Sequence, residues 1–240
     1  MNEYELKVID EIADWKRKIT RRTGMIKRLS KKAQGKINHL IPTKVHLVLT
    51  GSIKAMVKAT LFGSQLMTRK SQERRLSLEE RDKLVRKKIV AYQRTAIVEG
   101  AGTGAGGILI GLADFPLLLT IKMKFLFDVA YIYGFNTSEY EERLFILHVF
   151  QLAFSSGEIR RITLSEIENW DIRKQHLVEM DWHKFQEEYR DYIDFAKMFQ
   201  LVPGIGAVVG AFANNNLIRH LGLTAMNAYR LRILNRAPEY

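Results

Sequence analysis

Residues 104–114 read Gly104-Ala-Gly-Gly-Ile-Leu-Ile-Gly-Leu-Ala-Asp114, and residues 204–214 read Gly204-Ile-Gly-Ala-Val-Val-Gly-Ala-Phe-Ala-Asn214. Laid over each other at a shift of 100, the two runs share Gly104 with Gly204 and Gly106 with Gly206. They match in size or polarity elsewhere, and each ends in a carboxylate or its amide. Gly100 and Gly104, Gly102 and Gly106, Gly107 and Gly111, and Gly206 and Gly210 stand four apart. Glycine at that spacing strips one face of a helix, so a second backbone can approach closely. Each such glycine costs roughly 1 kcal/mol in an exposed helix interior, which close packing has to offset. The pattern predicts two glycine-rich apolar helical hairpins, packed together as an internal pseudo-repeat.

Working outward, the rest of the chain also reads as helix. Leu6, Ile9, Ile12, Trp15 and Ile19 recur at three and four, and acids precede bases along that stretch, which suits the helix dipole. Ile26, Leu29, Ala33, Ile37 and Leu40 predict a second helix, stopped at Pro42. Val45 to Met67 gives a third, less charged one, followed by a polar connector from Thr68 to Arg75. Ser77 with Glu80 forms a capping box, and Ser138 with Glu141 and Thr163 with Glu166 repeat the signal. Helices are expected from about Glu139 to Phe154, Leu164 to Met180 and Asp181 to Phe199. Four prolines and no regular turn punctuation argue against a sandwich of short strands. The expectation is an all-α multi-helix bundle. It divides into a basic amphipathic region at 1–75 and a helical core at 76–240.

The chain has 240 residues, 47% hydrophobic and 27% charged, so it is globular rather than disordered. It has no cysteine, which excludes disulfides, thiolate metal sites and cysteine nucleophiles. The net charge of +12 is unevenly spread. Before Thr95 there are 24 Lys and Arg against 9 Asp and Glu; from Thr95 onward there are 14 against 17. Between Trp15 and Gln72 fifteen cations occur with no acid at all. Such asymmetry signals an anionic partner. Trp15 is the only aromatic between Tyr4 and Phe62, which disfavours nucleic acid, where bases stack on aromatic rings. An anionic membrane surface suits the pattern better, contacted by Lys16, Arg17, Lys18, Arg21, Arg22, Lys27, Arg28, Lys31, Lys32 and Lys36. Acids at Glu3 and Glu5 and no early apolar run give no secretory signal, so the expected location is cytoplasmic, peripheral on the inner face of the cell membrane. Gly100 to Ile121 carries one charge in 22 residues, long enough on its own to span a bilayer at about 20 residues. Integral insertion is therefore an alternative.

With these residues in view, the chain resembles the EcsC family. The resemblance rests on Gly102 to Pro116, Tyr133-Gly134, Glu141-Glu142-Arg143-Leu144-Phe145, Pro203-Gly204-Ile-Gly-Ala, Asn214 to Asn216 and Tyr229-Arg230-Leu231-Arg232. It implies a bacterial protein associated with an ABC transporter on which protein secretion depends, with ATPase and membrane subunits as partners. It carries over no catalytic residues and no cofactor.

Two constellations invite a catalytic reading, and one lone carboxylate a capping or contact role. Gly102-x-Gly104-x-x-Gly107 satisfies a dinucleotide fingerprint, and Asp128 lies where a ribose-binding acid would stand. That motif needs a preceding strand and alternating strand-helix units, whereas helical patterns flank it here. His176, Glu179, His183 and Glu187 would line one helix face and could hold a divalent metal. A nucleotide- or metal-dependent enzyme is thus the rival to a non-enzymatic accessory protein. Asp114, isolated among apolar residues, reads as an N-cap ahead of Pro116 or as a polar interface contact, with Asn214 or Asn216 in the corresponding part.

Overall fold

A computed structural model describes residues 1–20, 43–63, 76–102, 115–179 and 207–235. Eight helices and no strand occur among them: α1 (3–20), α2 (Thr43–Phe62), α3 (Leu78–Gly102), α4 (Phe115–Ile132), α5 (Tyr140–Phe154), α6 (Gly157–Glu168), α7 (Trp170–Glu179) and α8 (Ala207–Asn235). The all-α expectation holds. The second basic helix, the connector at 68–75, the helix at 181–199 and the whole run at 104–114 lie outside the described residues; of the second glycine-rich run, 204–206 lie outside and 207–214 form the first part of the continuous helix α8.

Local chemistry explains several helix ends. At α3 the Ser77 hydroxyl accepts from the Glu80 amide at 3.3 Å, and the Ser77 amide donates to the Glu80 carboxylate at 2.8 Å, the reciprocal box its sequence announces. Asn2 and Glu5 make a second such box at the start of α1, with both bonds at 2.9 Å. The other two expected boxes are absent. The Ser138 hydroxyl donates to Asn136 at 2.7 Å in a turn ahead of α5, and the N-cap Glu139 makes no side-chain cap bond. Thr163 sits inside α6, donating back to the Ile159 carbonyl at 2.9 Å. The helix expected at 164–180 is two helices, α6 and α7, separated at Asn169. α4 ends in a Schellman motif: Phe135 N–H bonds the Ala130 carbonyl at 3.1 Å and Gly134 N–H the Tyr131 carbonyl at 2.9 Å. That geometry requires the positive φ of 88° at Gly134, which glycine adopts without steric cost.

α5 and α8 occupy the middle. α5 is buried almost throughout, and α8 packs on α3, α4, α5 and α6. The pairing of α3 with α8 is the most extensive among the described helices, and it is antiparallel, since Asp82 meets Arg230 and Ile89 meets Gly222. A Cβ on Gly222 would stand 2.5 Å from Ile89 Cγ1 and 3.1 Å from Phe125 Cζ, so this glycine lets the helices approach.

A single cluster of buried side chains draws on α1 (Val8, Ile12, Ile19), α2 (Leu49, Ile53, Leu61) and all later helices except the outer part of α7. Both sides of the division at residue 75 thus supply one core. Ile12 and Ile19 of the expected α1 stripe are buried and Trp15 packs against the core, but toward the N-terminus Val8 faces inward while Leu6 and Ile9 are exposed. Both stripes satisfy three-and-four spacing, and the packing of α1 against α3 and α8 selects between them.

Candidate functional site

The described residues concentrate their chemistry in buried ion pairs around α8. Tyr229-Arg230-Leu231-Arg232 places two guanidiniums two residues apart, and so on opposite sides of a helix surrounded by protein. Arg230 turns toward α3 and α1. Its Nε and one terminal nitrogen donate to Asp82 Oδ2 at 2.8 and 2.6 Å, and its other terminal nitrogen donates to Glu11 at 2.9 Å and Asn227 at 3.2 Å. The Asp82 carboxylate also accepts from the Tyr4 hydroxyl at 2.6 Å and the Tyr133 hydroxyl at 2.5 Å. Asp82 and Arg230 side chains are each 1% exposed. Burial alone would lower the Arg230 pKa, but the Asp82 hydrogen bonds and charge more than offset it, so the guanidinium is held protonated. Burial, then the Asp82 hydrogen bond and charge, push the Tyr4 hydroxyl up to about 12; burial and the Asp82 charge push Tyr133 well up.

Arg232 turns the other way and donates to Glu142 at 2.6 Å, while the Tyr229 hydroxyl donates to the other Glu142 oxygen at 2.6 Å. Its guanidinium lies 4.3 Å from the Phe135 ring centroid and 4.5 Å from that of Phe145, so aromatic faces replace some of its lost hydration. Burial, then Glu142, raise the Tyr229 hydroxyl far above its usual range. The carboxylates and hydroxyls of both clusters are partnered, while Arg232 Nε is buried without a hydrogen-bond partner. Neither carboxylate is arranged as a general base facing an open site, and the arrangement works as two clamps on α8.

The fingerprint and metal readings meet different fates. Gly102 ends a helix of 25 residues, not a strand. Asp128 accepts from Lys88 and Lys124 at 3.1 Å and from Tyr92 at 3.0 Å. Burial would raise its pKa, but the two lysines bring it below the ordinary value. A carboxylate so occupied is an internal counterion, not a ribose ligand. His176 is exposed on α7; His183 and Glu187 lie outside the described residues. Among the described residues no three His, Asp or Glu side chains are placed to share a metal.

Of the ten surface cations expected, three are described. Lys16 bridges to Glu168 on α6 at 2.6 Å, Arg17 pairs with Asp14, and Lys18 is exposed. Arg21, Arg22, Lys27, Arg28, Lys31, Lys32 and Lys36 fall outside the described residues, as do Gly104, Gly106, Gly107, Gly111, Gly204, Gly206 and Asp114. α4 nevertheless starts at Phe115 with Pro116 second, where the cap reading of Asp114 needs them. Asn214 and Asn216 lie well inside α8, so neither caps its start.

A profile of the EcsC protein family matches residues 6–234. The chain belongs to the EcsC protein family. It is 51% identical over 227 residues to "Protein EcsC" of Bacillus subtilis (strain 168), covering 95% of both chains. It is 35% identical over 149 residues to "Uncharacterized protein YdbA" of the same strain, covering 60% of this chain and 55% of that one. No solved structure matches. In this EcsC-family chain, two stretches that carry the resemblance have defined structural roles. Tyr133-Gly134 closes α4 and Tyr229 to Arg232 holds the clamps. Sequence reasoning assigned no role to Asp82, Glu142, Arg230 or Arg232. The available signal was that Arg230 and Arg232 are the only charged residues between Leu221 and Leu234, where buried charge demands partners.

Proposed function

We propose that this EcsC-family chain is a non-enzymatic accessory protein of an ABC transporter, acting peripherally at the cytoplasmic face of the membrane and linked to protein secretion. The observation that carries the reading is the acid-free run between Trp15 and Gln72 with its fifteen cations. The transporter is the partner that the family resemblance implies. Because Lys16 and Arg17 are paired within the molecule, the lipid-facing charge is assigned to Lys18, Arg21, Arg22, Lys27, Arg28, Lys31, Lys32 and Lys36. Each basic side chain near an anionic surface contributes about 1 kcal/mol, so eight suffice for stable but salt-sensitive attachment. The closed partnering of Asp82, Asp128 and Glu142 supports a structural rather than catalytic use of the buried charges.

Cell fractionation tests the location. The protein should sediment with membranes at low salt and be released at high salt; recovery in the soluble fraction at low salt contradicts the reading. Crosslinked co-purification of the transporter's ATPase or membrane subunit tests the partner. Absence of a thermal shift with ATP, NAD or zinc is the expected result for a protein that is not an enzyme using them.

A further inference from the structure

The buried side of α2 is fixed. Leu49, Ile53, Met56, Val57 and Leu61 lie in the core, against α4 and α5. At about 100° per residue, Leu47, Gly51, Ala55, Lys58 and Phe62 fall on the opposite side. Leu47 is 67% exposed, Phe62 59% and Val48 37%. A surface helix ordinarily carries charged and polar residues of both signs there. This one carries aliphatic and aromatic side chains with Lys54 and Lys58, and no Asp or Glu occurs anywhere in Thr43–Phe62.

The combination is specific in its chemistry. Apolar side chains gain by leaving water, and ammonium groups on flexible stems reach up from them to phosphates. A carboxylate would be repelled by such phosphates, and none is present. The fixed inner face holds the helix along the surface of the body, so it meets a bilayer lying flat. Among the described residues no helix is long and apolar enough to cross a membrane. Phe62 is held in place at the end of the helix by Tyr140, with ring centroids 6.3 Å apart.

We propose that the outer face of α2 is a lipid-docking face. Leu47, Val48 and Phe62 enter the headgroup boundary of an anionic bilayer, and Lys54 and Lys58 contact its phosphates. The inference rests on the membrane-surface reading above and adds to it the outer face of α2.

The absence of cysteine makes site-specific labelling direct. Variants L47C, A55C, F62C and, as a control on another exposed apolar position, I172C each carry one nitroxide. The full chain is mixed with vesicles of phosphatidylglycerol and phosphatidylcholine in equal parts. Labels at 47, 55 and 62 should gain collisions with oxygen and lose collisions with a water-soluble nickel complex, while the label at 172 stays unchanged. The triple variant L47S/V48S/F62S, checked for an unchanged melting transition, should bind these vesicles about tenfold or more weakly than the parent. If the parent fails to bind the vesicles, the membrane reading falls and the docking face with it. If the parent binds, but the α2 labels stay in water and the triple variant binds equally well, the docking face is wrong and the membrane reading stands. Labels immobilised without vesicles, together with a doubled mass, would make the face a contact between two copies and overturn the proposal. Insertion at 172 equal to that at α2 would overturn it too.

Discussion

Arg230 and Asp82, 148 residues apart in sequence, join through two hydrogen bonds of 2.8 and 2.6 Å in the interior, tying the last described helix to α3. Replacing one member of such a pair leaves an uncompensated buried charge, which costs about 3–5 kcal/mol. Asp82→Asn is therefore expected to lower the urea midpoint by a corresponding amount with little change in slope. The double variant Asp82→Leu/Arg230→Met should regain part of that loss, because both charges leave together while the Tyr133 hydroxyl still loses its acceptor. A double variant as weak as the single one would contradict the account.

The tyrosines bound to these carboxylates set the alkaline limit. Tyr4, Tyr133 and Tyr229 are raised by burial first and by Asp82 or Glu142 next. A raised folded pKa gives stability that is present below the unfolded value of about 10 and lost as pH climbs through the folded one. Tyrosinate absorbance should show these residues titrating late and together with loss of helix. Tyr133→Phe, which gives up one bond to Asp82, should cost about 1 kcal/mol at neutral pH and flatten part of the alkaline fall.

At the acid end His148 acts in the opposite sense. It is fully buried, donates from Nδ1 to the Leu144 carbonyl at 2.8 Å and has Nε2 3.6 Å from Glu166. Burial lowers its pKa below 6.5, and Glu166 pulls partly back. As pH falls below about 6.5 the unfolded chain takes up a proton that the folded one refuses, so stability should decline until the folded value is passed. Urea titrations across this range should show a smaller decline in His148→Gln and a larger one in Glu166→Gln.

Gly222 sets the spacing of α3 and α8. Adding a methyl group there pushes on Ile89 and Phe125, and overpacking of this kind costs about 1–3 kcal/mol. Gly222→Ala should lower the melting temperature, and Ile89→Val in the same chain should restore part of it. Additive losses would mean that the two residues do not share this contact.

Some local signals are sufficient and others are not. The Ser77–Glu80 box spans four residues and is complete within them, and the start of α4 at Phe115 follows from Pro116. Ser138 and Thr163 are likewise hydroxyl residues three before a glutamate, yet Asn136 and the Ile159 carbonyl compete for their hydroxyls. Thr163's partner in the expected box, Glu166, instead faces His148. Leu6 and Val8 both fit helical spacing, and only the tertiary partner of α1 separates them. Glu142 and Arg232 meet across 90 residues, a separation at which no spacing rule operates. The first half of the pseudo-repeat and most of the basic surface lie outside the described residues, while 207–214 of the second half open the long helix α8.

Arg230 also reaches Glu11, across 219 residues. On the ribosome, α1 and α3 emerge long before the guanidinium that joins them, and the latch closes only when α8 has been released. Throughout synthesis the cationic front of the nascent chain therefore precedes its own closing helix, and contacts of such long range make the final step slow. A growing polypeptide in that state can meet an acidic surface before it has finished folding.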